Sequence, residues 1–205
     1  MMIATAPKLV EIRWHGRGGQ GVVTASNLLA QAALEEGDYF QSFPEFGAER
    51  SGAPIVAYTR ISHETIHIRS QVLEPGIVVV LDATLIGKID LLAGLQRGGA
   101  IVVNTPLSPD EMAHRLGAHD FVLCTVDGTR IAMDLLGRNI PNVPMLGGLL
   151  KVRQVVSQEA VLATIHHRLG ARLRREVVQA NLEAFRRAYL EARVGQEHSA
   201  YEVQV

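Results

Sequence analysis

The chain is poor in cysteine and aromatic residues. One cysteine, Cys124, occurs in 205 residues. A single thiol makes no internal disulfide, which fits a reducing, cytoplasmic setting. It also cannot supply the four thiolates an iron–sulfur cluster ordinarily needs. Aromatics are 5% of the residues, so a core must come from Val, Ile, Leu and Ala. No long apolar run is present. Ile77-Val78-Val79-Val80-Leu81 stops at Asp82, a length that suits a buried strand and not a membrane span. The start, MMIATAPKLVEI, lacks the apolar stretch of a signal peptide. Excess charge is missing too. The formal net charge is −1, which gives no electrostatic footprint for nucleic acid.

The length suits one domain with a sizeable core. We read residues 1–193 as that domain and 194–205 as a polar tail. Leu9 to Trp14 reads as a strand, and Val22 to Glu36 as an amphipathic helix with Val22, Ala25, Leu28, Leu29 and Ala32 on one face. Tyr39 to Phe43 is a second short strand. Ile55–Ile61 and Thr65–Ser70 alternate in polarity around Ser62-His63-Glu64, which predicts a β-hairpin. Ile77–Leu81, Ala100–Asn104 and Phe121–Val126 read as further strands.

Helices are expected at Thr84–Gln96, Arg130–Leu136, Met145–Val156, Ser157–Leu169 and Ala171–Arg193. A further helix opens at Ser108-Pro109-Asp110-Glu111, whose spacing is that of a capping box with proline at the first position. Asp127 is a predicted N-cap. The sum is an α/β fold: a three-layer, Rossmann-like open sheet, mostly parallel with a β-hairpin, and a helical C-terminus.

Between the first strand and the first helix lies Gly16-Arg17-Gly18-Gly19-Gln20-Gly21. Glycines let backbone turn sharply and approach a ligand, and a helix start presents N–H groups and a favourable dipole to an anion. The loop is not a triphosphatase loop, because Val22 and Val23 stand where Lys and Ser or Thr are required. A dinucleotide site needs an acid near the end of the second strand. Glu45 lies near that place, and an independent NAD-binding oxidoreductase is the alternative reading. A tight turn that binds nothing is a third.

A second turn-rich segment is Phe43-Pro44-Glu45-Phe46-Gly47-Ala48-Glu49-Arg50-Ser51-Gly52-Ala53-Pro54. Phe43 and Phe46 read as apolar anchors. Cys124, among apolar neighbours, reads as a buried inert thiol. His15, His63, His67, His114, His119, His166 and His167 form no evident metal set. The arginines of the last helix read as a solvated or interface face.

Together the two segments resemble the paired signatures of the gamma subunit of pyruvate and related 2-oxoacid:ferredoxin (acceptor) oxidoreductases. The first runs Glu11-Ile12-Arg13-Trp14-His15-Gly16 to Ala25 and the second Phe43 to Pro54. The likeness continues through Ile68-Arg69-Ser70, Val80-Leu81-Asp82, Val103-Asn104-Thr105, Ile140-Pro141-Asn142 and Met145-Leu146-Gly147.

The resemblance implies a subunit of an enzyme that converts a 2-oxoacid and coenzyme A to acyl-CoA and carbon dioxide. Two electrons pass to ferredoxin or another acceptor. It implies thiamine diphosphate, Mg and [4Fe-4S] clusters on partner subunits (alpha, beta and a ferredoxin-like delta), with none in this chain. It implies no catalytic residue here, and a coenzyme A surface formed by Gly16, Arg17, Gly18, Gly19, Gln20, Gly21, Glu49, Arg50 and Ser51. In single-chain relatives the corresponding domain lies over the active site.

Overall fold

The computed structural model describes residues 9–45 and 53–195. Seven strands form one mixed sheet: β1 (Leu9–Arg17), β2 (Tyr39–Pro44), β3 (Pro54–Ser62), β4 (Ile77–Val80), β5 (Ala100–Asn104), β6 (Val122–Val126) and β7 (Arg193–Val194). Their order across the sheet is β2-β3-β1-β4-β5-β6-β7. The centre, β1-β4-β5-β6, is parallel. The flanks β2, β3 and β7 run antiparallel to their neighbours.

The described residues also form six α-helices: α1 (Val22–Glu35), α2 (Pro109–Leu116), α3 (Gly128–Leu136), α4 (Asn142–Val152), α5 (Gln158–Gly170) and α6 (Arg175–Glu191). None of the described helices is long and apolar enough to cross a membrane.

Strand alternation divides the core into two layers. Ile12, Trp14, Ile77, Val79, Val102, Cys124 and Val126 point to the side where α1, α3, α4, α5 and α6 pack. Val78, Val80, Ile101, Val103 and Leu123 point to the other side, against Leu91, Leu95 and Met112 of α2. The central strands are therefore apolar on both faces, as parallel strands covered on both sides must be. Trp14 is fully buried, and its indole N–H donates to Thr59 Oγ1 at 2.9 Å.

The local signals at helix starts hold. Ser108 and Glu111 form a reciprocal capping box with Pro109 at the first turn. Asp127 accepts the Arg130 N–H, and Ser157 accepts the Ala160 N–H. Cys124 is buried, and burial pushes its thiol up to about 12, so it is inert at neutral pH.

Two expectations fail. The hairpin of Ile55–Ile61 with Thr65–Ser70 does not form. A strand has two edges, and those of β3 are taken by β1 and β2. Residues 65–70 run as coil, tied to β2 by the Gln41 side-chain amide, which donates to the Ile68 carbonyl at 2.8 Å. The antiparallel pair of the fold is β2 with β3 instead.

The helix expected at Thr84–Gln96 is a single 3₁₀ turn, Ala83–Leu85, followed by turns. Gly87 and Gly94 adopt positive φ of 75° and 68°, which interrupts helical backbone. A Cβ on Gly94 would stand 2.0 Å from the Leu73 carbonyl oxygen. The spacing of Leu91 and Leu95 imitates a helical face, but both are buried by successive turns.

Helices α4 and α6 approach closely at Gly147, where an added Cβ would lie 2.5 Å from the Phe185 carbonyl oxygen and 2.8 Å from the Tyr189 nitrogen. Both obstacles are backbone, so relief requires the helices to separate. Gly147→Ala should destabilise the chain by about 1–3 kcal/mol, the usual cost of overpacking. Chemical denaturation with an unchanged m-value checks this.

Candidate functional site at the carboxyl ends of the parallel strands

The four parallel strands end on one edge. After β1 the chain turns into α1 on the five-helix side of the sheet; after β4 it enters the turns that carry Leu91 and Leu95 on the opposite side. Connections leaving adjacent parallel strands toward opposite faces open a crevice at their carboxyl ends, where ligands of open α/β sheets bind. The glycine segment lies there.

Its conformation follows from three contacts. The Arg17 N–H donates to Gln20 Oε1 at 2.8 Å, folding the side chain of Gln20 back over the turn. The Gln20 amide nitrogen donates to Asp82 Oδ2 at 2.9 Å, just beyond β4. The Gln20 backbone N–H donates to the Arg17 carbonyl at 3.2 Å. Gly16 has to be glycine, because a Cβ would stand 2.6 Å from Val22 Cγ2 and 3.1 Å from Leu81 Cβ. Gly21 is the N-cap of α1 with φ 78°. A Cβ there would meet the Asn142 side chain at 2.7 Å. Gly19 has φ 91° and open space around it.

The anion-binding potential is narrower than the sequence implied. The Gly18 N–H donates to the Ala53 carbonyl at 3.3 Å, and the Gln20 N–H is used within the turn. Among the described residues, the N–H groups of Gly19 and Gly21 have no hydrogen-bond partner. Helix α1 follows with no side-chain cap and no acid in its first turn. Gly19, Gly21 and the α1 start are thus the donors that a phosphate would meet.

Arg17 does not project freely. Its Nε lies 3.2 Å from Asp82 Oδ2, and Nε and Nη2 donate to Thr84 Oγ1 at 3.3 and 3.1 Å. Burial pushes the Asp82 carboxyl up, but hydrogen bonds from Thr84 and Gln20 and the Arg17 charge together hold it below its ordinary value. Glu49, Arg50 and Ser51, and Phe46, lie outside the described residues. The flanks of that segment are close by: Ala53 bonds to Gly18, and Pro54 is opposite Arg17 in the register of β1 and β3.

Several positioning residues carried no role in the sequence reading. Asn104, at the end of β5, donates from Nδ2 to the Leu81 carbonyl at 2.8 Å and accepts the Thr129 N–H at 3.0 Å. It joins the ends of β4 and β5 to the start of α3. Asn142, the first residue of α4, packs on Gly21 and its Oδ1 accepts the Val143 N–H at 2.8 Å. Asp82, Asn104 and Asn142 stand at strand or helix ends in short segments that the family resemblance already included; the pattern marked the places but not the bonds.

Glu45, the acid that the dinucleotide reading would use, is engaged within the fold. It accepts the Tyr58 hydroxyl at 2.6 Å, and burial together with this bond raises the Tyr58 pKa. Phe43 packs on Tyr58 with ring centroids 5.3 Å apart and lies under the Arg60 guanidinium at 5.6 Å, an anchoring role. Arg60 is 1% exposed and pairs with Glu11 at 2.7 Å.

His15 precedes the turn and is 5% exposed. Its Nε2 accepts from Arg13 Nε at 3.0 Å, while Nδ1 has no partner among the described residues. Burial, then the Arg13 charge, pushes it down to about 4. The ring is neutral at pH 7.

The comparisons agree with one another. The family model for pyruvate ferredoxin/flavodoxin oxidoreductase matches residues 11–191. The chain is 45% identical over 188 residues to a pyruvate synthase subunit PorC of Thermotoga maritima, covering 92% of this chain and 97% of that one. It is 45% identical over 177 residues to the common gamma subunit of the pyruvate/ketoisovalerate oxidoreductases of Thermococcus litoralis, with coverage of 86% and 96%. The crystal structure of the Thermotoga maritima pyruvate oxidoreductase subunit superposes with a TM-score of 0.81 at 41% identity, covering 93% of this chain and 100% of that one. A 2-oxoglutarate:ferredoxin oxidoreductase of Magnetococcus marinus shares the fold at TM-score 0.74 and 21% identity over 31% of its chain.

Two measurements test this geometry. Gly16→Ala should cost about 1–3 kcal/mol through overpacking, and Gly19→Ala about 1 kcal/mol through left-handed strain alone; denaturant titration ranks them. His15 binds its proton more weakly folded than unfolded. Its contribution is therefore present above pH 6.5 and is lost as pH falls toward about 4. His15→Gln should flatten the stability–pH curve across that window, as measured by urea midpoints.

Proposed function

The chain belongs to the pyruvate ferredoxin/flavodoxin oxidoreductase family, and we propose that it is the gamma subunit of a multi-subunit 2-oxoacid:acceptor oxidoreductase. In that role it contributes coenzyme A binding and closure of an active site built on its partners. The enzyme carries out oxidative decarboxylation: a 2-oxoacid and coenzyme A give acyl-CoA, carbon dioxide and two electrons for ferredoxin or another acceptor. Thiamine diphosphate, Mg and [4Fe-4S] clusters reside on alpha, beta and delta partners, in the cytoplasm. The relatives that support this are named as pyruvate synthase and pyruvate/ketoisovalerate oxidoreductase subunits, and the chain spans nearly their whole length.

The observation that carries the coenzyme A reading is the uncapped start of α1 at the sheet crevice. Phosphate oxygens of the carrier accept from the N–H groups of Gly19 and Gly21, and the α1 dipole favours the negative charge. Gln20 and Asp82 hold the turn in place, and Asp82 holds Arg17 at the rim. Arg17 then shares its guanidinium between Asp82 and the ligand. Arg50 supplies a second guanidinium and Ser51 a hydroxyl, with Glu49 orienting Arg50; guanidinium forks suit phosphate oxygens.

The chain alone should show no 2-oxoacid oxidation. In the assembled complex, Arg50→Ala should weaken apparent coenzyme A affinity by about 1–3 kcal/mol, the range of a charge-assisted hydrogen bond, with assembly intact. Calorimetric titration of coenzyme A into wild-type and variant complexes measures this. Unchanged affinity would mean that the glycine turn is structural only.

A further inference from the structure

A second feature lies beyond the glycine turn, where the α3–α4 and α5–α6 connections meet. A cavity of ≈ 660 Å³ opens there, lined by Arg138, Asn142, Arg172, Leu173, Arg174 and Val177 among others, with no carboxylate in its wall. Leu173 and Val177 are exposed apolar side chains, at 42% and 40%.

The charges on α6 are divided. Toward its C-terminal end, Arg187 pairs with Asp134 at 2.9 Å and Glu191 at 2.7 Å, and Arg130 of α3 pairs with Glu191. Among the described residues, Arg138, Arg172 and Arg174 make no ion pair. Arg174 is also the N-cap of α6, without a side-chain cap, and Arg175 is its first residue. Positive charge at a helix N-terminus opposes the dipole, and Glu176 is the one acid in that turn. Among the described residues, Glu176 alone offsets the positive charge gathered at this helix start, in a molecule of near-zero net charge.

We propose that this cavity is a docking surface for an acidic segment of a partner subunit of the same complex, with an aliphatic side chain seated between Leu173 and Val177 and Asp or Glu carboxylates meeting Arg138, Arg172 and Arg174. This rests on reading the chain as a subunit. An apolar centre ringed by arginines is the anatomy of a protein interface, and guanidinium groups pair well with carboxylates once water is excluded. Asn142 lines the cavity and packs on Gly21. A partner seated here therefore touches the element that supports the glycine turn.

The test uses the full chain reconstituted with the partner subunits that co-purify with it. The triple charge reversal R138E/R172E/R174E should raise the dissociation constant of the complex at least about tenfold at low salt, while the isolated variant melts with wild-type cooperativity. In parallel, Leu173→Cys carrying a benzophenone should cross-link to a partner peptide rich in Asp and Glu; Cys124 is buried and does not compete for the label. Wild-type assembly by the triple variant, or a cross-link to a partner segment without acids, overturns the proposal. Intact assembly with lost coenzyme A affinity also overturns it and makes the cavity a small-anion site. If the wild-type chain does not assemble with those subunits, the subunit reading itself fails.

Discussion

The side chain of Gln20 is the clasp on which this architecture depends. Its carbonyl oxygen accepts from the Arg17 backbone and its nitrogen donates to Asp82. One amide thus ties the β1–α1 turn to the end of β4, across the place where the connections diverge to opposite faces. Without that tie, the glycines that make the turn possible would also leave it loose. Gly16 and Gly21 add the complementary constraint: each is pressed so closely by Val22, Leu81 or Asn142 that any side chain would displace a neighbour. Freedom at Gly19 and tight packing on either side of it produce a short exposed stretch of backbone on a rigid mount.

That mount is assembled from elements far apart in sequence. Asn104 bonds to Leu81 and Thr129, and Asn142 brings the α4 start against Gly21. Each sits where an apolar element ends, so its polar side chain satisfies backbone that the element leaves unpaired. The same residues therefore stabilise the fold and shape the crevice. The outer edge differs: the second signature ends at the start of β3, whose antiparallel pairing with β1 brings Pro54 opposite Arg17. The antiparallel flank of the sheet sets the end of the second signature, Ala53 and Pro54, against Gly18 and Arg17 of the first.

Much of this was legible because the signals were local. The capping box at Ser108–Glu111, the N-caps Asp127 and Ser157, and the apolar strands Ile77–Leu81 and Ala100–Asn104 are determined by neighbouring residues. The failures were non-local. Nothing within Thr65–Ser70 reveals that both edges of β3 are already occupied, and nothing near Gly94 reveals the Leu73 carbonyl that leaves no room for a side chain there. At the site, the glycine pattern announced a turn and the paired segments announced the family. That Arg17 and Gln20 are held by Asp82 depends on residues about sixty positions away, and that the Gly18 N–H is spent on Ala53 depends on the start of β3. The short β7 strand, two residues paired with β6, has too little sequence to signal itself.

We propose that the exposed backbone at the start of α1, together with Arg50 and Ser51, holds the phosphate end of coenzyme A inside the assembled enzyme. Amide hydrogen exchange on the intact complex, with and without saturating coenzyme A, tests it most directly. Slowed exchange is expected in two peptides, one spanning Gly18–Thr24 and one spanning Glu45–Ala53, with the rest of the chain unchanged. Slowed exchange confined to other parts of the chain, or to the partner subunits, would contradict it.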